Sequence, residues 1–450
     1  MPGTADPVES VTNALDKIDA QNERLNAFVQ VDRERSLADA RAVAARLADG
    51  EVLPLAGAPL GVKDNIWVEG WRATQGSRLF ADHIAPRDAV SVARARKAGA
   101  VVVGITACSE FACKGLTKTP LYGPTKHPMD LSLTPGGSSG GSAAGLAAGM
   151  VALALGTDAG GSGRRPASHC GLVGLKGSLG AIPYGPGFPE PTWDISVIAP
   201  MARTVADTRV LFDVMRGFHP SDPASAITLA QEPSELGVIA FSSRFGLDAP
   251  VDDDVETAVQ MAINALVQNG WPIAERDPKW PDDASEDKLL PLQHAGLAAL
   301  HGAAYLEHPD LIDPDLAQQI EGGLSASAKE TADALEAARQ IRQTVSEFFA
   351  TTDLLIGPTT PCVAWPHHLL GPDRIGGQAV AARGHAVFTP FFNHARNPAI
   401  SVPCGRGRGG LPVGLQIVGR FGDDLRVLRA AQEAESVFEA TGLWSGLEPS

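Results

Sequence analysis

Two stretches rich in glycine and serine carry the hydroxyl groups that could act as nucleophiles. The first reads GGSSGGSAAG over residues 136–145, and the second reads TDAGGSGR over residues 157–164. A hydroxyl is a poor nucleophile at neutral pH and needs a base within hydrogen-bond reach. Neither stretch places a histidine beside its serines, so another part of the chain must supply the base.

Simpler interpretations of the first stretch fit less well. A flexible Gly/Ser linker is not expected to lead directly into the apolar run AAGLAAGMVALALG. A phosphate-binding loop of the G-x-x-x-x-G-K-[ST] type needs a lysine that is absent at the required place. The G-x-S-x-G pattern of an α/β-hydrolase elbow is matched with Ser139 at its centre, but Pro135 makes the preceding segment a poor strand. An esterase that uses Ser139 remains the main rival.

Lys63 is the candidate for the missing base. The segment GVKDN places this lysine at the end of an apolar strand, where burial beside hydroxyls and backbone dipoles can lower the pKa of an amine. A neutral Lys63 could take a proton from one serine, which in turn takes the proton of the attacking serine. The glycines of TDAGGS leave consecutive backbone N–H groups free to point at one spot, as an oxyanion hole requires.

The elements that must position these residues can be predicted from hydrophobic periodicity. Apolar residues from Val11 to Phe28 lie at helical spacings, and a second amphipathic run covers 33–47. PLAGAPLGVKDNIW reads as a short strand ending at a turn, and AVSVARARKAGAVVVGITA as a helix followed by a strand. TTDLLIGPTTP, AISVPCG and VGLQIVG indicate further strands before a last amphipathic helix. Such βα units favour a mixed or parallel sheet covered by helices.

Six segments resemble, in order, the motifs of the amidase signature family. They are GVKDN, YGPTKHP, TPGGSSGGSAAG, LALGTDAGGSGRRPASHCGLVGLK, PMARTVAD and GLPVGLQIVG. The resemblance implies an α/β fold, a single large α/β/α sandwich whose mixed twisted sheet is covered by helices on both faces, over residues 1–450. Within it we expect an N-terminal helical segment of about 1–50, a signature core of about 55–205 and a helical, substrate-side insertion of about 248–350.

The resemblance also implies roles for individual residues. Ser162 matches the family's nucleophile, Ser138 the bridging serine and Lys63 the base, with a cis peptide bond between Gly137 and Ser138. The backbone N–H groups expected to form the oxyanion hole belong to Ala159, Gly160, Gly161 and Ser162. The supporting positions are Ser139, Asp158 and Arg164.

Three residues are candidates for substrate binding. Arg165 matches a position at which some relatives hold a substrate carboxylate, a contact suited to a guanidinium group, and a structural ion pair is the simpler alternative. The loop over residues 186–194 carries Phe188 and Trp193, which could line the acyl or leaving-group pocket. Packing is the alternative for both rings.

The implied reaction is acyl transfer to water, which needs no metal or other cofactor. We expect hydrolysis of linear carboxylic amides of small molecules, and carbamate (urethane), anilide and ester bonds suit the same machinery. The glutaminase subunit of an amidotransferase, which acts with partner chains, shares these motifs and stays an alternative. The identity and stereochemistry of the substrate and the oligomeric state, including a homodimer, are left open by the sequence.

Composition limits the partners. Over 450 residues, 37 Lys and Arg against 52 Asp and Glu give a net charge of −15, and such a surface gains no counterion-release energy from nucleic acid. The start MPGTADPVES lacks the features of an export signal, and no apolar run approaches the roughly 18 residues that span a membrane. Five cysteines without a CxxC pair are typical of reduced thiols. We therefore expect a cytoplasmic protein that binds neither nucleic acid nor membranes.

Overall fold

This computed structural model describes residues 6–281 and 284–445 of the chain. Within them, an eleven-stranded mixed sheet forms the centre of the fold. In chain order, the strands are β1 (Phe28–Val31), β2 (Pro59–Lys63), β3 (Val101–Thr106), β4 (Lys118–Thr119), β5 (Gly123–Pro124), β6 (Leu153–Asp158), β7 (Val173–Lys176), β8 (Val197–Ala202), β9 (Ile239–Phe241), β10 (Ile273–Glu275), β11 (Leu354–Pro358), β12 (Arg374–Ile375), β13 (Gln378–Ala379), β14 (Ala399–Arg406) and β15 (Pro412–Gly419). The large sheet has the order β1-β3-β2-β6-β8-β7-β14-β15-β11-β9-β10, and β4–β5 and β12–β13 form small separate pairs.

Helices cover both faces of this sheet. In chain order, they are α1 (Pro7–Leu25), α2 (Arg33–Ala48), α3 (Val90–Lys97), α4 (Gly140–Ala147), α5 (Arg164–Cys170), α6 (Val205–Met215), α7 (Asp253–Gln268), α8 (Leu290–Glu307), α9 (Pro314–Ser325), α10 (Ala328–Phe349), α11 (Pro390–His394) and α12 (Asp424–Ala440). Leu153 and Leu155 of β6 enter an apolar cluster with residues of α3, α6, α7 and α12. Ala154, between them, enters a second cluster with residues of α1, α2 and α4. Because successive strand side chains point to opposite faces, the predicted α/β/α sandwich is confirmed.

The pairing of β2 with β6 brings the two predicted halves of the site together. These strands are parallel, with Leu60 opposite Leu153 and Val62 opposite Leu155. Parallel strands end at the same edge of a sheet, so Lys63 at the end of β2 lies beside Thr157 near the end of β6. A residue 94 positions away in sequence thereby comes within hydrogen-bond distance.

Most predicted elements are present, and one helical prediction was wrong at its C-terminal end. The strand before Lys63, the α3–β3 unit, β11, β14, β15 and α12 lie where the periodicity placed them. The helical pattern that included Phe28 was wrong, because α1 ends at Leu25 and Phe28 begins β1. Asn26 adopts a left-handed conformation (φ 52°), and the Asn22 side-chain oxygen accepts hydrogen bonds from the N–H groups of Ala27 and Phe28. These contacts turn the chain into β1, which pairs antiparallel with β3.

Strand β8 was not predicted. It contains Pro200, which lacks the N–H group that a central strand normally donates. The strand nevertheless lies between β6 and β7, with Leu155 opposite Pro200. All six of its residues are buried, so packing against both neighbours outweighs the missing donor.

A buried ion-pair network attaches the start of helix α9 to the segment around Lys114. Lys114 Nζ lies 2.5 Å from Asp313 Oδ2 and 3.1 Å from Asp315 Oδ2. The N–H of Asp313 donates to Glu110 Oε2 at 2.6 Å. Beside this network, Phe111 packs in an apolar cluster with Leu297 of α8 and with Leu316 and Ile320 of α9. The segment around residues 110–114 and the two helices therefore form one packed unit.

Two further features are the apolar length of the helices and the state of the cysteines. No helix in residues 6–281 and 284–445 is both long enough and apolar enough to cross a bilayer. Residues 1–5, with which the sequence opens, lie outside the described part. All five cysteines are buried free thiols, and burial raises the pKa of Cys170, which lies in the segment LALGTDAGGSGRRPASHCGLVGLK.

We predict that Lys114→Met destabilises the protein by about 3–5 kcal/mol, because Asp313 would be left as a buried, uncompensated charge. The matched control is Lys329→Met, which removes an exposed pair with Asp333 and should leave the unfolding midpoint nearly unchanged, because solvent screens such a pair. Urea unfolding followed by far-UV circular dichroism measures both. Equal midpoint shifts for the two variants would show that the Lys114 network contributes nothing beyond a surface pair.

Candidate active site

Lys63 is a completely buried amine that contacts hydroxyl groups. Its Nζ donates hydrogen bonds to Ser138 Oγ and to Thr157 Oγ1, each at 2.8 Å. No carboxylate forms an ion pair with it within the described ranges. Burial therefore lowers the pKa of Lys63 to about 8. With this pKa, about one amine in ten is uncharged at pH 7 and about half at pH 8, and the uncharged form is the one that can accept a proton.

The loop that carries Ser138 is wedged between other backbone segments. The Gly137–Ser138 peptide bond is cis, as the resemblance implied. A Cβ atom at Gly137 would lie 2.8 Å from backbone atoms of Leu116, and one at Gly141 would overlap the backbone of Ala107. Only glycine allows this close approach. The glycines therefore hold the loop in place and fix Ser138 against Lys63.

Ser139, the serine of the rival interpretation, lies in a different environment. It is completely buried just before α4. Its Oγ donates to the carbonyl oxygen of Thr157 at 3.3 Å. The cleft beside Lys63 is lined by Ser138 and Ser162, and Ser139 is not part of its lining.

Ser162 lies in the loop that leaves β6 and precedes α5. It is 6% exposed and lines the same cleft as Ser138, Thr157 and Ala159. Of the four predicted oxyanion donors, the N–H of Gly161 is engaged within the protein, where it donates to Asp158 Oδ1 at 2.7 Å. The N–H groups of Gly160 and Ser162 flank this anchored amide.

Asp158 forms a buried ion pair with Arg164 that supports the loop. Arg164 Nε donates to Asp158 Oδ2 at 2.9 Å and Nη2 donates to Oδ1 at 3.0 Å, and both side chains are fully buried. Burial alone would raise the pKa of Asp158, but the Arg164 charge and several hydrogen bonds hold it well below its usual value. Arg164 Nη1 also donates to Gln416 Oε1 at 2.6 Å, and Nη2 to Asn393 Oδ1 at 2.5 Å.

Arg165 lies behind the loop. It is 4% exposed, and its Nη1 donates to the Gly160 carbonyl oxygen at 2.5 Å. In the described residues no carboxylate lies within ion-pair distance of it, so the simpler alternative of a structural ion pair is not what the structure contains. Burial lowers the pKa of Arg165 to about 10.

The cleft wall differs in part from expectation. Phe188 lines the cleft, and its ring packs against Phe80 and His83 at centroid distances of 4.9 and 5.0 Å. Trp193 does not line the cleft, since its side chain is half exposed and its Nε1 donates to the Leu292 carbonyl oxygen at 2.6 Å. Pro189, Glu190 and Pro191 of the predicted loop also line the cleft, whereas four other lining residues were not singled out from the sequence: Asn65, Gln75, Phe111 and Tyr184.

Sequence reasoning also missed the polar residues that arrive from the last quarter of the chain. Gln416 lies in the motif GLPVGLQIVG, where a polar residue interrupts an apolar strand, and this is a signal that could have been used. Thr389 and Asn393 carry no such signal. Their role depends on contacts with residues more than 200 positions away.

The comparisons with known proteins agree with this geometry. The family model described as Amidase matches residues 9–428, so the chain belongs to the amidase family, which is also called the amidase signature family, and is an amide-cleaving enzyme. Among its relatives, a glutamyl-tRNA(Gln) amidotransferase subunit from Burkholderia pseudomallei is 35% identical over 98% of this chain and 96% of its own length.

Solved structures of the same fold extend this result. A bacterial aryl acylamidase of the amidase signature family superposes with a TM-score of 0.89 at 28% identity, covering 98% of this chain and 94% of that one. The inhibitor-bound vestigial protein complex that reveals the origins of an s-triazine catabolic enzyme gives a TM-score of 0.88 at 29% identity, covering 98% and 96%.

We predict that Asp158→Asn destabilises the protein by about 3–5 kcal/mol, because the Arg164 guanidinium would remain buried without a counter-charge. Asp16→Asn, at an exposed pair with Arg33, is the control and should leave the unfolding midpoints nearly unchanged, because solvent screens such a pair. Thermal and urea unfolding measure the difference. A stable Asp158→Asn variant would contradict the importance assigned to this pair.

Proposed function

We propose that the protein hydrolyses carboxylic amide bonds of small molecules through an acyl-enzyme on Ser162, with Ser138 and Lys63 as a proton relay. The observation that supports this most directly is the 2.8 Å hydrogen bond between Lys63 Nζ and Ser138 Oγ. Ser138 and Ser162 line the same cleft, so the serine that contacts the buried amine shares its cleft with the proposed nucleophile.

The proton moves along this relay in both directions. As Ser162 Oγ attacks the carbonyl carbon, its proton passes to Ser138 Oγ, and the proton of Ser138 passes to neutral Lys63. Backbone N–H groups of the loop after β6 stabilise the negative charge on the carbonyl oxygen. The same relay then returns a proton to the leaving amine as the C–N bond breaks. Water then attacks the acyl carbon and gives a proton to the relay. The bond between that carbon and Ser162 Oγ breaks, the relay returns a proton to Ser162 Oγ, and the acid leaves.

Thr157 and Asn65 complete the surroundings of Lys63. Thr157 Oγ1 accepts from Lys63 Nζ, and Asn65 Nδ2 donates to the same oxygen at 3.1 Å. These hydrogen bonds hold the amine at the end of β2 in one position. An amine fixed in this way needs little rearrangement to accept a proton.

The cleft wall suggests the finer substrate class. Phe111, Tyr184 and Phe188 line it together with Pro189 and Pro191, which favours a flat, apolar group next to the scissile bond. The similarity to an aryl acylamidase supports anilides as the first substrates to test. Carbamates (urethanes) and aryl esters present the same carbonyl to Ser162 and are proposed as further substrates.

An amidotransferase glutaminase subunit is the second candidate. It is supported by the 35% identity to the Burkholderia pseudomallei protein. Such a subunit would act with partner chains and release ammonia from glutamine. The purified single chain separates the two: a free-standing amidase hydrolyses anilides without any partner, whereas an isolated glutaminase subunit shows little activity on them.

We predict that kcat/KM for a neutral anilide rises nearly tenfold per pH unit below pH about 8 and levels off above it, because protonated Lys63 cannot accept a proton. The rate rises with pH because only the neutral amine can accept a proton. Burial, which lowers the pKa of Lys63, sets the pH at which the rise ends. Initial rates between pH 6 and 10 measure the profile. A flat profile between pH 6 and 9 would contradict Lys63 as the base.

We predict that Lys63→Met loses more activity on an anilide than on the matching aryl ester, because only the amine leaving group requires a proton from the relay. Lys176→Met is the matched control. Lys176 is a second fully buried lysine, outside the cleft lining, whose Nζ donates to the Gly177 carbonyl oxygen at 3.1 Å. Its replacement should leave the amide-to-ester ratio unchanged. Equal losses on both substrates in Lys63→Met would contradict the relay.

A further inference from the structure

Thr389 contacts the loop of Ser162 from a distant part of the sequence. It lies immediately before α11 and is completely buried. Its Oγ1 donates to the Gly160 carbonyl oxygen at 2.7 Å, across 229 positions of sequence. The mechanism proposed above does not use this hydroxyl.

The peptide unit between Gly160 and Gly161 is held at both ends. Its carbonyl oxygen accepts from Thr389 Oγ1 at 2.7 Å and from Arg165 Nη1 at 2.5 Å. Its N–H donates to Asp158 Oδ1 at 2.7 Å. A planar peptide fixed at both its oxygen and its nitrogen cannot rotate. The orientation of the neighbouring N–H groups, those of Gly160 and Ser162, is thereby limited as well.

Steric contact adds a second constraint. Gly161 has a φ of 111°, and a Cβ atom there would overlap the Thr389 hydroxyl. The loop is therefore seated directly on Thr389. Asn393, on the same short segment, donates through Nδ2 to the Asp158 carbonyl oxygen at 3.0 Å and to Oδ1 at 2.9 Å. The chain from 389 to 393 thus supports both the peptide and the carboxylate that anchors it.

We infer that Thr389 is a positioning residue for the acyl transfer. Its hydroxyl, together with Arg165, fixes the Gly160–Gly161 peptide so that the flanking N–H groups point to the developing oxyanion. This positioning by Thr389 matters more in the transition state, where the substrate's carbonyl oxygen carries negative charge, than in the bound substrate. On this account Arg165 acts through the backbone of the loop. The inference rests on the proposed function of Ser162.

The test is Thr389→Val, which keeps the shape of the side chain and removes the hydroxyl. Loss of one direct oxyanion donor costs about 10²–10³ in kcat, and loss of a group that only positions such donors is expected to cost less, about 10- to 100-fold. KM for the anilide should change less than about threefold, because ground-state binding is not affected. Thr389→Ser keeps a hydroxyl at this position and should recover most of the kcat that Thr389→Val loses.

The matched control is Thr208→Val in α6. Thr208 is also completely buried, and its Oγ1 donates to the Thr204 carbonyl oxygen at 2.9 Å. Thr208→Val loses a buried hydroxyl of the same kind, away from the cleft, and should keep the kcat of the unmodified protein. Should Thr389→Val fold poorly, Thr389→Ala measured as the single-turnover acylation rate with an aryl ester gives the same comparison.

Several outcomes would overturn the inference. These are an unchanged kcat in Thr389→Val, a rise in KM without a fall in kcat, or no recovery in Thr389→Ser. Failure of the proposed function itself is recognised separately. If Ser162→Ala keeps amidase activity, the acyl-enzyme assignment is wrong whatever the Thr389 variants do. Loss of activity in Ser162→Ala with full activity in Thr389→Val rejects the positioning role alone.

Discussion

A single buried carboxylate, Asp158, connects the elements on the Ser162 side of the cleft. It ends β6, accepts the N–H groups of Gly161, Gly163 and Arg164, and forms the ion pair with the Arg164 side chain. Asn393 adds a hydrogen bond from the end of α11. In a low-dielectric interior each of these bonds is stronger than in water, and an unpaired charge is correspondingly costly. The carboxylate therefore holds the strand, the loop, α5 and α11 in one arrangement.

The Lys63 side of the cleft follows the opposite principle. Lys114 is buried and compensated by two carboxylates, whereas Lys63 is buried with hydroxyl partners. Pairing would stabilise the ammonium form, and its absence favours the neutral amine, so burial lowers the pKa of Lys63 to about 8. A carboxylate beside Lys63 would stabilise the ammonium form and would thereby prevent this lysine from accepting a proton. The two sides of the cleft therefore differ: the charge of Asp158 is compensated by Arg164, whereas Lys63 contacts hydroxyl groups and no ion-pair partner among the described residues.

The sequence predicts what depends on local pattern or on motif. The strand before Lys63, the two glycine-rich loops and the strands near the C-terminus follow from periodicity and from the resemblance. Phe28 was misplaced because the Asn22 side chain ends the helical run, and β8 was missed because Pro200 argues against a central strand. Thr389 could not be found, since its role is created by contacts that only the folded chain brings together.

The central claim is that Ser162 forms the covalent acyl intermediate. Labelling with a fluorophosphonate, followed by proteolysis and peptide mass spectrometry, tests it most directly. We expect one label, on Ser162, at a rate that falls when Lys63 is replaced. A label on Ser139, or none on a preparation that hydrolyses anilides, would contradict it.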